Sequence, residues 1–243
     1  MNPDLYLAAA RCEDEHWWFA ARRAILSAVL ERHPGSGTRR RILEVGCGSG
    51  GNLGMLAGHG EVFAVESDAQ ARLRAAARGI ARVEAGALPA RLPFDGLTFD
   101  LVAALDVLEH VADDRAALTA LREKVSPGGM LLLTVPAFMW LWSRHDELSH
   151  HCRRYSLPGL SELVRSTGFE VTHASYFNTL LFAPGVGHIK LGNLLHSGAI
   201  DALRIPPAPV NALLREIFAL ERFLVPRVSL PFGISILLCG IAR

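Results

Sequence analysis

Residues 42–50 read Ile-Leu-Glu-Val-Gly-Cys-Gly-Ser-Gly, a β-prone run that passes straight into a glycine loop. Glycines let the chain reverse sharply there and bring bare backbone N–H groups against a ligand. Gly46, Gly48 and Gly51 also satisfy the G-x-G-x-x-G spacing of dinucleotide-binding loops. Around this junction the pattern predicts strands over 41–45, 61–66, 80–84, 99–105 and 130–135, with helices over 52–58, through Arg78, and over 113–124. The run 99–105 is continuous and apolar, as expected of a parallel strand covered on both faces. Strands alternating with helices at this spacing make a parallel sheet with right-handed crossovers. A helix over 157–166 and strands over 169–176 and 235–242 close the series. Ahead of the loop, 16–33 reads as a helix ended by Pro34-Gly35-Ser36-Gly37.

With 243 residues, half of them hydrophobic, the chain suits one α/β domain with additions. A net charge of +1 offers no basic face, so no nucleic-acid partner is expected, and Arg39-Arg40-Arg41 reads as a solvated lead-in to a strand. Cys12, Cys47, Cys152 and Cys239 form no C-x-x-C pair, which argues against a zinc ribbon or a disulfide framework and for a reducing compartment. The first residues lack the basic stretch and apolar run of a signal peptide. The most apolar window, 176–195, is broken by Pro184, three glycines, His188 and Lys190. A cytoplasmic protein without a transmembrane span is expected, with membrane-surface contact left open.

Position 44 separates two ligand classes. Glu44 stands two residues before Gly46, where an NAD-binding strand normally carries an apolar residue. A carboxylate there can anchor a ligand ammonium, directly or through water, and S-adenosylmethionine has an amino-acid tail while NAD has none. Residues 43–50, Leu-Glu-Val-Gly-Cys-Gly-Ser-Gly, resemble the first motif of class I methyltransferases, and Ala64-Val-Glu-Ser67 resembles the second. Residues 92–102 look like the stretch entering their fourth strand, and Asp106-Val-Leu-Glu-His-Val111 and Pro127-Gly-Gly-Met-Leu-Leu-Leu133 follow in the family's order.

The resemblance covers roughly 40–176 and the last strand. It implies an α/β, Rossmann-like class I methyltransferase fold with a seven-stranded, mostly parallel sheet. The expected single domain comprises a helical cap (1–38), a binding core (39–177), a hydrophobic insertion (178–231) and the last strand (232–243). S-adenosylmethionine is the implied cofactor and S-adenosylhomocysteine its product. Glu44, Gly46 and Gly48 then line the methionine side, with Cys47 and Gly50 in the same loop. Glu66 takes the ribose hydroxyls, with Ser67 beside it, and Leu105, Asp106 and His110 lie towards the reacting centre. The acidic residue that often meets the adenine amino group is missing from Gly86-Ala87-Leu88, so backbone groups at Ala87 and Leu88 are the expected substitutes.

Two blocks outside this core are similar to segments of methyltransferases in the UbiE-like broad group. In Glu15-His-Trp-Trp-Phe-Ala-Ala-Arg-Arg23, adjacent tryptophans cannot both face one core from a helix, so Trp18 is expected to meet the substrate. Arg22, one turn on, is available for a carboxylate of cofactor or substrate; the alternative is a helix on the sheet edge with exposed arginines. The second block, 136–155, carries Trp142, His145, Asp146, His151, Arg153, Arg154 and Tyr155 and belongs at the mouth of the site. His145 or His151, with Asp146, could serve as a general base. Alternatively Trp142, Arg153, Arg154 and Tyr155 could hold an anionic acceptor, or Asp146 could pair with Arg153 or Arg154 in an internally bonded loop. The His and Cys spacing matches no common metal ligand set, and no metal is expected.

In the insertion, Leu213, Ile217, Leu220 and Leu224 make an apolar stripe, read as a packed lid, a homodimer interface or a surface for a lipophilic substrate. The combined reading is a small-molecule methyltransferase acting on oxygen. Its rivals are an S-adenosylmethionine-binding enzyme with a non-methylating reaction and an NAD(P)-dependent oxidoreductase.

Overall fold

The computed structural model describes residues 3–33, 40–90, 92–195 and 203–243. The turn expected at 34–37 and the 38/39 segment boundary lie outside these residues. Seven strands form one sheet: β1 (Arg41–Val45), β2 (Glu61–Glu66), β3 (Arg82–Ala85), β4 (Phe99–Leu105), β5 (Val125–Pro136), β6 (Phe169–Phe177) and β7 (Ser235–Ala242). Their order is β3-β2-β1-β4-β5-β7-β6. The first five are parallel, and β7 runs antiparallel between β5 and β6. The order reverses between β1 and β4, which places a ligand crevice at their carboxyl ends.

The helices are α1 (Pro3–Cys12), α2 (Trp17–Arg32), α3 (Leu53–Ala57), α4 (Ala69–Ala77), α5 (Asp114–Lys124), α6 (Arg144–Leu148), α7 (Leu157–Arg165), α8 (Phe182–Leu195) and α9 (Ala208–Ala219). Side chains take their ends where the sequence offers a short acceptor: Asp68 from Ala71 N–H at 2.8 Å and Asp113 from Ala116 N–H at 2.9 Å. Alternation along the strands divides the core in two. Leu43, Val45, Val102, Leu131 and Leu133 pack towards α5 and α7, while Ile42, Ala64, Leu101, Ala103 and Leu132 pack under Ile25, Leu26, Val29 and Leu30 of α2.

Several expectations change. The third strand lies at Arg82–Ala85 rather than 80–84, because its pairing is set by β2. β5 begins five residues early, through Pro127-Gly128-Gly129, with a register shift opposite Phe99 and Leu101. Trp17 and Trp18 both pack on one core cluster, contrary to the expectation that one must turn away. Helix α9 covers the outer side of α2, so Trp17 meets Phe218 edge-on at 6.0 Å while Trp18 packs elsewhere on the same cluster. The stripe over α9 and the turn after it is also rotated: Leu213, Leu220 and Leu224 are exposed, Ile217 packs on the core cluster, and Phe218, Ala219, Glu221 and Val225 face inward. Burial here follows contact with α2 and β6, not hydrophobicity alone.

Candidate active site

A cavity of about 380 Å³ opens at the carboxyl ends of β1, β2 and β4. Its floor is the glycine loop. Gly46 sits at φ 74°, and a Cβ there would lie 2.6 Å from Val107 Cγ2, so only glycine fits. Gly48 N–H donates to Glu66 Oε2 at 2.8 Å, and Asp68 N–H donates to Glu66 Oε1 at 2.8 Å. Glu66 is thereby fixed at the tip of β2, facing the cavity with Ser67. Gly86, Ala87 and Leu88 form one wall, and Leu105, Asp106, Val107 and His110 form another.

The roof comes from the chain's beginning. Ala9 and Glu13 near the end of α1, with Phe19, Arg22 and Arg23 of α2, line the cavity. Glu13 Oε1 accepts from Ser49 Oγ at 2.8 Å and from Arg78 Nη2 at 2.6 Å, while Arg23 Nη1 donates to the Glu13 carbonyl at 2.7 Å. This ties the roof to the glycine loop and to the end of α4. Glu13→Ala is expected to speed release of the implied cofactor at least about tenfold, since it removes two hydrogen bonds to a carboxylate. Stopped-flow displacement measures it, and an unchanged off-rate would make the contact a static packing feature.

Behind the loop, Glu44 is buried, with Oε1 accepting from Asn52 Nδ2 at 2.9 Å and Oε2 without a partner. Burial pushes its carboxyl up to about 7, against the bond from Asn52 and the charge of Arg22. Arg22 is buried too. Its Nη2 lies 2.6 Å from Asp106 Oδ2 and 2.6 Å from Thr134 Oγ1, its guanidinium stacks 5.2 Å over Trp18, and its Nε has no partner. Two orphaned buried atoms of opposite charge beside a bare-backbone cradle suit a ligand that carries both charges, as an amino-acid tail does. Asp106 holds a left-handed backbone at φ 58°, the kind of strain that a closely packed site keeps.

Of the residues expected at the cofactor, Arg22, Gly46, Cys47, Gly48, Glu66, Ser67, Ala87, Leu88, Leu105, Asp106 and His110 line this cavity; Glu44 and Gly50 stand behind it. Gly50, at φ 87°, is held too close to Leu53 and Ala75 for a side chain.

The block at 136–155 is largely turned on itself. Asp146, fully buried, accepts from Ser143 N–H and Oγ, His151 Nδ1, and Arg154 Nε and Nη2, each at 2.8 Å. Arg153 Nη1 lies 2.5 Å from Asp114 Oδ2, and Tyr155 Oη donates to the same carboxylate at 3.1 Å. Neither arginine reaches the cavity wall, nor do Tyr155, Trp18 or Trp142. Trp142 borders a separate shallow depression with Arg144 and Asn193. The pairing of Asp146 with Arg154 matches the internally bonded alternative for this loop. His145 is held by Ser149 at 3.4 Å, with Nδ1 buried and unpartnered, and burial beside His151 pushes it down to about 4.

One imidazole joins this loop to the cavity. His110 lines the wall, and its ring lies 4.6 Å from that of His151. Burial, then the neighbouring His151, push His110 down to about 4. Beneath it Glu109 is buried with Oε2 unpartnered, and burial with the charge of Asp106 raises its carboxyl well above the usual range. Ligand atoms of Glu109, His110 and His151 all lie within 4.8 Å of one another.

A protein-family model described as a methyltransferase domain matches residues 17–174. The chain belongs to this methyltransferase family. It is an S-adenosylmethionine-dependent methyltransferase of the class I, Rossmann-like fold, which sets aside the oxidoreductase reading. A Mycolicibacterium smegmatis protein named as a probable S-adenosylmethionine-dependent methyltransferase is 27% identical over 204 residues, covering 82% of this chain and 75% of that one. A ubiquinone biosynthesis O-methyltransferase of Cereibacter sphaeroides is 28% identical over 148 residues, and the match spans 54% of this chain and 60% of its length. Among solved structures, a methyltransferase in complex with the Haloferax volcanii Trm112 activator superposes with a TM-score of 0.63 at 19% identity, covering 99% of this chain and 95% of that one, a likeness of fold.

The site residues that the sequence did not single out include Glu13, in a roof whose helix and Arg22 it did name, and the buried Glu109. The acidic run Glu13-Asp14-Glu15 just ahead of α2 was a usable signal for the first. Glu109 stands inside a motif already quoted, and its burial is a tertiary fact.

Proposed function

We propose that this methyltransferase acts on an oxygen of a small lipophilic acceptor in the cytoplasm, with His110 receiving the acceptor's proton. The observation that carries the reading is the His110 imidazole in the cavity wall beside Asp106, backed by a His151 that Asp146 orients. Bound S-adenosylmethionine supplies an already activated methyl group, so transfer asks the protein mainly for alignment. A base is needed where the acceptor must lose a proton, as a hydroxyl must. The name of the Cereibacter sphaeroides relative supports oxygen as the acceptor atom and a lipophilic class. Free Cys12, Cys47, Cys152 and Cys239 are in keeping with a reducing compartment.

In this reading Glu66 holds the ribose, Glu44 attracts the ammonium from behind the glycine loop, and Arg22 faces the carboxylate of the amino-acid tail. His151 acts through His110 as a positioning residue. His151→Ala is expected to leave S-adenosylmethionine affinity unchanged while lowering kcat, and His110→Ala to lower kcat about 100-fold or more. The pH profile gives a second readout. A histidine held near 4 stays neutral and able to accept a proton at all higher pH, so the acid limb of kcat/KM should fall near 4 rather than 6.5. An acid limb at 6.5 that survives His110→Ala would remove His110 from the proton's path.

A second reading is favoured by the unpartnered Glu109 oxygen beside His110 and His151: the three could hold a divalent cation that binds the acceptor oxygen. Activity lost to a chelator and restored by metal selects that reading; chelator resistance selects the base.

A further inference from the structure

We propose that the face built by α8, the Trp140 turn and the turn following α9 seats on an anionic lipid bilayer without crossing it. The inference stands independently of the acceptor's identity. Helix α8, Phe-Ala-Pro-Gly-Val-Gly-His-Ile-Lys-Leu-Gly-Asn-Leu-Leu, contains no acidic residue and carries apolar groups on every side. Such a helix is normally enclosed. Here none of its described residues is buried, Leu194 is 74% exposed and Leu191 is exposed as well.

The apolar surface continues past the helix. Trp140, 52% exposed, lies 6.3 Å ring to ring from Phe182, which lies 5.1 Å from the exposed Phe232. The Phe232 carbonyl accepts from Thr179 Oγ1, and the neighbouring Leu180 N–H donates to Glu221 Oε1 at 2.8 Å. Glu221 belongs to the turn Leu220–Phe223, whose two end residues are exposed as well. Exposed apolar groups gathered in this way mark a contact surface.

Charge selects the occupant. The Lys190 ammonium lies 5.4 Å over the Trp140 ring and donates to the Trp140 carbonyl at 2.8 Å, a Trp–Lys pair suited to headgroup depth. Residues 178–231 hold five Lys or Arg against three Asp or Glu. Of those acids, Glu221 is buried on the backbone N–H groups of Asn178, Thr179 and Leu180, and Glu216 is paired with Arg215 at 3.0 Å. Among the described residues of this stretch the exposed charge is positive, with Lys190, Arg204 and Arg227 beyond the Arg215–Glu216 pair, which attracts anionic headgroups and would oppose the same face of a second copy. The helix spans 14 residues, about 21 Å at 1.5 Å per residue, short of a bilayer core of about 30 Å. Among the described residues no helix is long and apolar enough to cross a membrane.

The test uses the full chain with extruded vesicles of phosphatidylcholine, with or without phosphatidylglycerol. Co-sedimentation with the phosphatidylglycerol vesicles, weakened by salt, is expected. The double variant Leu191→Glu with Leu194→Glu should lower the partition coefficient at least about tenfold, because two leucines that would leave water are replaced by charges. Its circular dichroism and S-adenosylmethionine affinity should match the unmodified chain, since both side chains are exposed. Absence of binding to phosphatidylglycerol vesicles, or equal binding by the double variant, overturns the proposal. So does a concentration-dependent dimer that the variant abolishes while neither form binds vesicles; that outcome assigns the face to a second copy.

Discussion

Replacing Glu66 with alanine is expected to lower affinity for S-adenosylmethionine about 150-fold or more, from the loss of two hydrogen bonds to a charged group worth about 1.5–3 kcal/mol each. The carboxylate already accepts from Gly48 N–H and Asp68 N–H, each at 2.8 Å, and is 2% exposed. It therefore does two things at once: it shapes the glycine loop, and it lines the cavity. Glu66→Gln keeps one acceptor oxygen but turns an amide donor towards the N–H of Gly48 or Asp68, so it should also weaken binding, though less than alanine. Titration calorimetry measures both. An alanine variant that binds as tightly as the unmodified protein would mean that the ribose is held elsewhere.

The second large effect concerns stability. Asp146→Ala is expected to cost about 3–5 kcal/mol, because it leaves the buried Arg154 guanidinium without its carboxylate. For a domain of this size that lowers Tm by about 6–20 °C. Ser143, His151 and Arg154 lose their shared acceptor in the same change, so the whole loop should loosen. Burial alone would raise the Asp146 carboxyl, but hydrogen bonds from His151 and Arg154 outweigh it and hold the group well below the usual carboxylate range. A depressed folded value stabilises the fold above the ordinary carboxylate pKa, and the contribution is lost as pH falls through that range. Acid unfolding of the unmodified chain should therefore steepen below pH about 4, and the variant should lack that component. Thermal melts at several pH values check it. A variant with unchanged Tm and reduced turnover would return Asp146 to a chemical role.

The core of the fold was legible because it rests on local signals. Three strands keep the bounds that the sequence predicts, Arg41–Val45, Glu61–Glu66 and Phe99–Leu105, since each is an apolar run bounded by a turn or a loop. The last strand, Ser235–Ala242, follows the same logic. The glycine loop was legible for a related reason: backbone that needs positive φ and close approach leaves few residue choices, and Gly46, Gly48 and Gly50 state them openly.

Partnership between distant side chains was less legible. Arg153 and Arg154 look alike in the sequence, yet one pairs with Asp114 across 39 positions and the other with Asp146 inside its own loop. Arg22, read as free for a ligand, shares Asp106 and Thr134 while keeping Nε unpartnered. Glu13 joins the roof through Ser49 and Arg78, contacts that span 36 and 65 positions.

The sequence by itself determined the sheet's order of elements, the glycine cradle and the acidic residues at the strand tips, because these depend on periodicity, turn chemistry and short spacing. Tertiary structure alone decided which charges pair, which imidazole meets the cavity, and which side of α8 and α9 stays uncovered. Those outcomes depend on whether distant groups share one small volume of low dielectric, where an unpaired charge is costly and a paired one is silent.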